Sequence, residues 1–190
     1  LPNLRRLYPG PAVISHEHLK LNAAEIRSWI YRKTRQQPTA ESVLQWEHGT
    51  EGWPLALHLS EPLWDGSRAR APGDKAATDA MPPELRDILT DELLRHPEEL
   101  QRFMMQTSIP DSFDTELGCW LTDHASFHDR IGQLLQQNLF LYPKKEGQYR
   151  YHGLFARMLR ERFRIHHPDE FRLTQERTIA WYEQKGRIIE

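Results

Sequence analysis

The chain has 190 residues, which is enough for one large domain or two small ones. Hydrophobic residues make up 38% and charged residues 27%, a globular balance, and the net charge of -2 gives no overall attraction to nucleic acid or to an anionic membrane. The single cysteine, Cys119, excludes an intrachain disulfide and favours a cytoplasmic location, and no apolar run approaches the ~20 residues of a membrane span. Because neither an initiator methionine nor a signal peptide is present, we expect a fragment of a longer protein.

The N-terminal third carries the start signals of a helical bundle. A short strand is expected at residues 12–15, after a Pro-Gly-Pro turn. Asn22 and Glu25 have the spacing of a capping box, and apolar residues at helical spacing follow them, so the sequence predicts a helix over 23–33.

Two further helices are predicted before residue 65. Thr39 is the expected cap of the first, which should end in a left-handed turn at Gly49. Pro54 suits the first turn of the second, where its missing N–H costs nothing. The expected apolar face of that helix consists of Leu55, Leu59 and Leu63.

The C-terminal half has the ingredients of a winged helix. Apolar residues predict a helix over 84–106 that restarts at Pro97, and a later change to period two predicts a β-hairpin around a turn at 143–147. The remaining predicted elements are helices at 115–122, 126–136, 154–165 and 170–185 and strands at 139–142 and 149–151.

The sequence therefore predicts a mainly α fold, with a helical bundle subdomain followed by a winged-helix subdomain that carries a small β-hairpin. The helical subdomain is expected at 22–64 and the winged-helix subdomain at 83–166. Between them, residues 65–82 are rich in small residues and proline, which indicates a linker.

The segment Gly52-Trp53-Pro54 has two interpretations. Glycine for a turn and proline for a first helical position can be punctuation alone. Alternatively, a rigid proline ring at a helix start offers a flat apolar face to a purine at low ordering cost. Trp53 is expected to contribute more to the core than to a ligand contact.

His152 follows the aromatic strand Tyr149-Arg150-Tyr151 and precedes a helix. A histidine in such a place is commonly a buried structural side chain. At a strand-to-helix junction, however, an imidazole N–H and the amides of a helix N-terminus can also converge on an anionic oxygen. Arg150 is a weaker candidate for a supporting charge.

A basic helix after the hairpin raises the possibility of DNA binding. The cations of this face are Arg157, Arg160, Arg162 and Arg164, together with Lys144 and Lys145 in the wing. A solvated surface is the simpler interpretation, because Glu161 interrupts the face and Asp169 and Glu170 follow it.

Signals for metal binding and catalysis are weak. His124 and His128 have a spacing that can hold zinc, but no further ligand pair accompanies them, so no metal site is predicted. No nucleophile elbow and no phosphate-binding loop occur, so no catalytic residue is predicted and the chain is not expected to be an enzyme by itself.

Two stretches carry a resemblance to a known family, namely 52–57 (GWPLAL) and 149–155 (YRYHGLF). In this order and at this separation they resemble the MalT-like LuxR-family transcription activators, which are signal-transducing ATPases with numerous domains. The resemblance extends to both ends of the chain. Residues 1–21 resemble the tail of the nucleotide-binding domain, and residues 167–190 the first helix of the helical-repeat sensor region.

The resemblance implies a nucleotide-dependent switch. In the family, the equivalents of Pro54 and His152 contact the adenine and the β-phosphate of ADP, which favours a closed monomer. Gly52, Trp53 and Arg150 would complete this cofactor site. The implied parent is a bacterial, slow ATPase that binds ADP or ATP through a separate P-loop domain, self-associates when activated and contacts DNA through a C-terminal domain.

Two alternatives remain from the residues alone. One is a free-standing winged-helix module that binds DNA. The other is a helical adaptor that binds only proteins and does not respond to nucleotide.

Overall fold

The structure is a computed structural model that describes residues 19–61, 81–122, 127–137 and 140–186. The chain divides into two compact units, Leu1–Ala80 and Met81–Glu190. The expected strand at 12–15 and most of the expected linker at 65–82 lie outside the described residues, whereas Met81 and Pro82 are buried in the second unit. The expected domain boundaries remain predictions.

Over residues 19–61, the first unit forms the helices α1 (Ala23–Thr34), α2 (Ala40–Thr50) and α3 (Pro54–Leu59). The predicted capping box is confirmed, because the Asn22 side chain accepts hydrogen bonds from the first turn of α1 and Glu25 accepts one from the Asn22 backbone N–H. Thr39 caps α2 as predicted. The apolar side chains that these helices bury form one small core of Ile26, Ile30, Val43 and Leu57.

The turn between α2 and α3 differs from the prediction at two points. Gly49 lies inside α2, and the left-handed residues are Glu51 (φ 50°) and Gly52 (φ 70°). The predicted inward face of α3 is also wrong, because Leu55 is exposed and the buried residues are Ala56 and Leu57. Because α3 has only six residues, the turn that precedes it, and not an apolar stripe, determines which side faces the core. Leu63, the third residue of the expected face, lies outside the described residues.

The second unit confirms the predicted combination of helices and one hairpin. Pro97 separates the first two helices, as the sequence predicts. Its elements are α4 (Pro83–Leu94), α5 (Glu98–Thr107), α6 (Thr115–Thr122), α7 (Phe127–Gln136), β1 (Leu141–Pro143), β2 (Tyr149–Tyr151), α8 (Gly153–His166) and α9 (Pro168–Gln184).

The hairpin gives this unit its winged-helix arrangement. β1 and β2 are antiparallel with Tyr142 opposite Arg150, and Phe113, between α5 and α6, forms a bridge to Tyr149 at the open edge of β2. The first strand starts later than predicted because Phe140 has a left-handed backbone (φ 52°), so ladder pairing begins only at Leu141. The order helix, bridge, two helices and hairpin makes α7 the helix that directly precedes the wing.

The core of the second unit is aromatic. Phe103, Phe113 and Phe127 are buried, with ring centroids of Phe127 5.7 Å from Phe103 and 6.3 Å from Phe113. The hydroxyl groups of Tyr151 and Thr107 are 2.9 Å apart, and Thr107 donates to the Phe103 carbonyl, so Tyr151 donates to Thr107. Burial raises the pKa of Tyr151, which keeps the phenol neutral in its role as donor.

The last helix, α9, packs on the winged helix. Trp120 of α6 donates to the Arg177 carbonyl at 3.1 Å, and Trp181 is buried. Glu170 accepts hydrogen bonds from Arg102 and Gln106 of α5. None of the described helices is long and apolar enough to cross a membrane.

Candidate functional site

The Gly52-Trp53-Pro54 segment lies in the first unit and is shaped by backbone constraints. Gly52 is buried with a positive φ, its carbonyl accepts a hydrogen bond from the Leu21 N–H at 2.8 Å, and a Cβ built on it would overlap the Leu21 carbonyl oxygen. Trp53 is the N-cap and Pro54 the first residue of α3, both half-buried. The turn therefore requires Gly52 whatever ligand the protein binds, while part of the Pro54 ring stays accessible.

His152 lies in the second unit, at the junction between β2 and α8. It is buried (5% exposed), its backbone N–H donates to the Phe140 carbonyl at 2.8 Å, and its Nδ1 accepts from the Leu154 N–H at 3.3 Å. A neutral ring that accepts at Nδ1 carries its proton on Nε2. The side chain thus caps α8 through Nδ1 and, when neutral, carries its proton on Nε2.

Arg150 is the middle residue of β2, two positions before His152. It is exposed and lies opposite Tyr142 in the register of the hairpin, and the Tyr142 ring centroid is 6.4 Å from that of His152. Alternation along β2 separates Arg150 from the buried Tyr151. Arg150 and His152 therefore both lie in the second unit, two residues apart, and Gly52, Trp53 and Pro54 are consecutive in the first.

A polar cluster in the first unit was not expected from the sequence. One carboxylate oxygen of Glu61 accepts from Trp29 Nε1 at 3.2 Å and lies 3.1 Å from Lys33 Nζ and 3.0 Å from His58 Nδ1. Burial would raise the pKa of Glu61, but the bonds from His58, Lys33 and Trp29 outweigh it and hold this pKa below its ordinary value. The i, i+4 spacing of Trp29 and Lys33 places both side chains on one side of α1, and the sequence contains that pattern. It does not identify their common partner, Glu61, which follows α3.

We expect this cluster to make the first unit more sensitive to acid. A lowered pKa means that Glu61 stabilises the fold above the unfolded pKa near 4.5, and that this stabilisation disappears as the pH falls through the folded pKa. Because Lys33 and His58 are half exposed or more, the contribution is at most about 1 kcal/mol. Urea unfolding should show that Glu61→Gln loses less free energy of unfolding between pH 6 and pH 3 than the unmodified chain. The difference should be at most about 1 kcal/mol.

Glu41→Gln provides the control for this comparison, because Glu41 is an exposed carboxylate in the same unit. It should leave the pH dependence almost unchanged. Identical pH profiles for Glu61→Gln and the unmodified chain would contradict the role of Glu61.

Arg160, a central residue of the basic face that raised the possibility of DNA binding, is engaged within the protein. Arg160 donates to the Ser108 and Pro110 carbonyls at the end of α5 and forms an ion pair with Asp111 at 3.2 Å. Its guanidinium group therefore satisfies carbonyl groups that follow the C-terminus of α5, and this bonding directs it towards the protein. In addition, the helix before the wing is α7, whose Arg130 is bound to Glu99 and lies over the Phe103 ring.

The structure describes only one of the two histidines whose spacing could hold zinc. His128 is exposed on α7, and His124 lies outside the described residues. Over 19–61, 81–122, 127–137 and 140–186, the structure contains no group of three or more His, Cys, Asp or Glu side chains that could hold a metal ion.

The helices and the hairpin of the second unit define a winged-helix domain. Comparison with known proteins identifies the family to which this domain belongs. Residues 89–171 match the family model described as the MalT winged helix domain. Over 144 residues (72% of this chain), the sequence is 32% identical to the HTH-type transcriptional regulator MalT of Vibrio parahaemolyticus, and over 141 residues it is 31% identical to that of Vibrio campbellii. The chain is therefore MalT-like, with a winged-helix domain of the MalT type, and it spans about 16% of the length of these relatives.

Proposed function

We propose that this chain is the nucleotide-sensing segment of a bacterial, cytoplasmic transcription regulator of the LuxR family. In this proposal it closes over ADP or ATP held by a P-loop domain elsewhere in the same protein. The names of the relatives support transcription regulation, and their much greater length supports a role within a larger chain. The observation that carries the nucleotide role is the position of His152, buried at the hairpin of a MalT-type winged helix.

The chemistry of His152 suits a phosphate sensor. Since Nδ1 accepts from the Leu154 amide, the ring orientation is fixed and the proton of the neutral ring lies on Nε2. A hydrogen bond from this position to an anionic oxygen is stronger than one on the surface, because the surroundings are largely shielded from water. His152 would therefore distinguish nucleotide states through its contact with the β-phosphate.

Opening and closing would then follow from differential binding. A closed state held by contacts of ADP with Pro54 and His152 loses population when a ligand binds an open state more tightly. In this scheme ATP and an inducer, bound by the helical repeats of the parent, favour opening and self-association. The parent protein hydrolyses ATP slowly, and it contacts DNA through a separate C-terminal domain.

Pro54→Ala in the full-length regulator should weaken ADP binding by about 1 kcal/mol, or roughly five-fold, the scale of modest apolar burial against a purine. Competition with a fluorescent ADP analogue measures this change. Pro168→Ala is the matched control, because Pro168 is also the first residue of a helix and is exposed. Equal ADP affinities in the two variants would remove Pro54 from the nucleotide site.

Two measurements separate the proposal from its alternatives. Titration of the chain against duplex DNA at several salt concentrations should show no binding, whereas binding with a steep salt dependence would favour a DNA-binding module. Limited proteolysis of the full-length regulator should differ between ADP and ATP. Identical digestion patterns in the two nucleotides would favour a protein-binding adaptor.

A further inference from the structure

The outward face of α1 is strongly basic and partly aromatic. Arg27, Arg32 and Arg35 are exposed, and Tyr31, which lies among them, is 41% exposed. Arg27 and Tyr31 are four residues apart and so share one side of the helix, and Arg35 follows as the left-handed C-cap of α1. None of the three arginines forms an ion pair within the part of the chain that the structure describes.

Helix stability explains only part of this pattern. Cations in the last turn complement the helix dipole, which accounts for Arg32 and Lys33. Lys33 is also bound to Glu61. Neither reason applies to Arg27, which lies in the second turn, or to the exposed ring of Tyr31.

The outward face of α4 has the opposite charge. Glu84, Asp87 and Asp91 are exposed on one side of this helix, and Ile88 and Leu94 among them are 45% and 49% exposed. The cations of α4 and its C-cap are engaged elsewhere, since Arg86 pairs with Glu161 and Arg95 with Glu92. Among the described residues, these three carboxylates have no ion-pair partner.

We propose that the basic face of α1 in one copy of this protein docks on the acidic face of α4 in a second copy. The three cations are spread along α1 and its C-cap, and the three carboxylates lie on successive turns of α4, so helices packed side by side bring opposite charges together. Tyr31 on one side and Ile88 and Leu94 on the other supply the apolar contact that charges alone lack.

Such a contact joins two different surfaces and is therefore heterologous. Each copy keeps one unused face, so assembly continues into a ring or a filament instead of stopping at a symmetric dimer. The inference rests on the proposed self-association of the regulator but not on its nucleotide site. Tests without nucleotide therefore distinguish its failure from failure of the nucleotide proposal.

Sedimentation velocity of the 190-residue chain, without nucleotide, is the first test. The sedimentation coefficient should rise with concentration from micromolar to submillimolar, and high salt should reduce association because the exposed charges are screened. A monomer at every concentration in low salt overturns the proposal.

Charge reversal identifies the faces. Association should weaken at least roughly ten-fold in a chain that carries R27E, R32E and R35E, and equally in one that carries E84R, D87R and D91R, because like charges then meet. An equimolar mixture of the two variants should associate again, as should one chain with all six changes, since each restores opposite charges. Circular dichroism verifies that the variants are folded.

The control has the same change in net charge at another surface. K144E, K145E and R164E replace three exposed cations of the second unit and should leave association unchanged. Loss of association in this control, or failure of the mixture to recover, overturns the proposal. Salt-dependent binding of duplex DNA that R27E, R32E and R35E abolish, with self-association intact, would also overturn it and assign the basic face to a nucleic acid.

Discussion

The full-length regulator with His152→Asn is expected to bind ADP roughly ten- to a hundredfold more weakly while its winged helix stays folded. The magnitude follows from the loss of one hydrogen bond to a charged group, about 1.5–3 kcal/mol. Asparagine is a good N-cap, so it retains the bond to the first turn of α8 and removes the imidazole Nε2–H. A weaker hold on ADP should also raise basal activation.

Alanine at this position would change two properties together. His152 is 5% exposed and its Nδ1 caps α8, so His152→Ala loses the cap, about 1 kcal/mol, and leaves space beside Tyr142. A fall in ADP affinity could then reflect a loosened hairpin. The comparison of asparagine with alanine separates phosphate sensing from helix capping.

Equilibrium dialysis with labelled ADP gives the affinity, and thermal unfolding verifies the fold. His167→Asn is the matched control, because His167 also lies at a helix start but makes no side-chain capping bond. Unchanged ADP affinity in a folded His152→Asn regulator would exclude His152 from the nucleotide site and leave it a structural cap.

The sequence was most informative where the cause is local. The capping box at Asn22 and Glu25, the cap at Thr39 and the break at Pro97 depend on residues within one turn, and all three are confirmed. Period-two aromatics likewise predicted the returning strand, Tyr149–Tyr151. Propensity and capping act over a few residues, so a single sequence contains what is needed to recognise them.

The errors arise where distant residues decide. Leu55 continues an apolar stripe and is nevertheless exposed, because the turn at Gly52 directs Leu57 inward. Arg160 looks like part of a basic face, but carbonyl groups about fifty positions earlier in the chain hold its guanidinium. Both outcomes depend on tertiary neighbours that periodicity does not contain.

The candidate site shows the same division. The sequence placed His152 at a strand-to-helix junction, and the structure confirms that junction. The sequence also favoured a buried side chain there, and the structure confirms it. The capping bond to the Leu154 amide could not be predicted, because it depends on the orientation of the imidazole ring. The Glu61 cluster was missed because it joins two helices whose packing the sequence leaves open.

Gly52→Ala should destabilise the first unit by about 2–5 kcal/mol and leave the second almost unchanged. A residue with a Cβ at φ 70° costs about 1–2 kcal/mol, and overlap with a neighbour in a packed region adds about 1–3 kcal/mol. Here the neighbour is the backbone of Leu21, whose carbonyl oxygen the new Cβ would overlap and whose N–H is bound to the Gly52 carbonyl. Relief of the overlap therefore requires a shift of the chain that leads into α1.

Hydrogen exchange measures this effect by segment, and the amides of α1, α2 and α3 should lose protection while those of α5 and α8 keep theirs. Gly147→Ala is the matched control, because Gly147 has φ 72° with no atom within 4 Å of the added Cβ. It should cost only the conformational part, about 1–2 kcal/mol in its own unit. Equal losses in the two variants would mean that Leu21 moves aside easily, and Gly52 would then be required for its backbone angle alone. In that case, the presence of glycine at position 52 would not indicate close packing between the turn before α3 and the chain before α1.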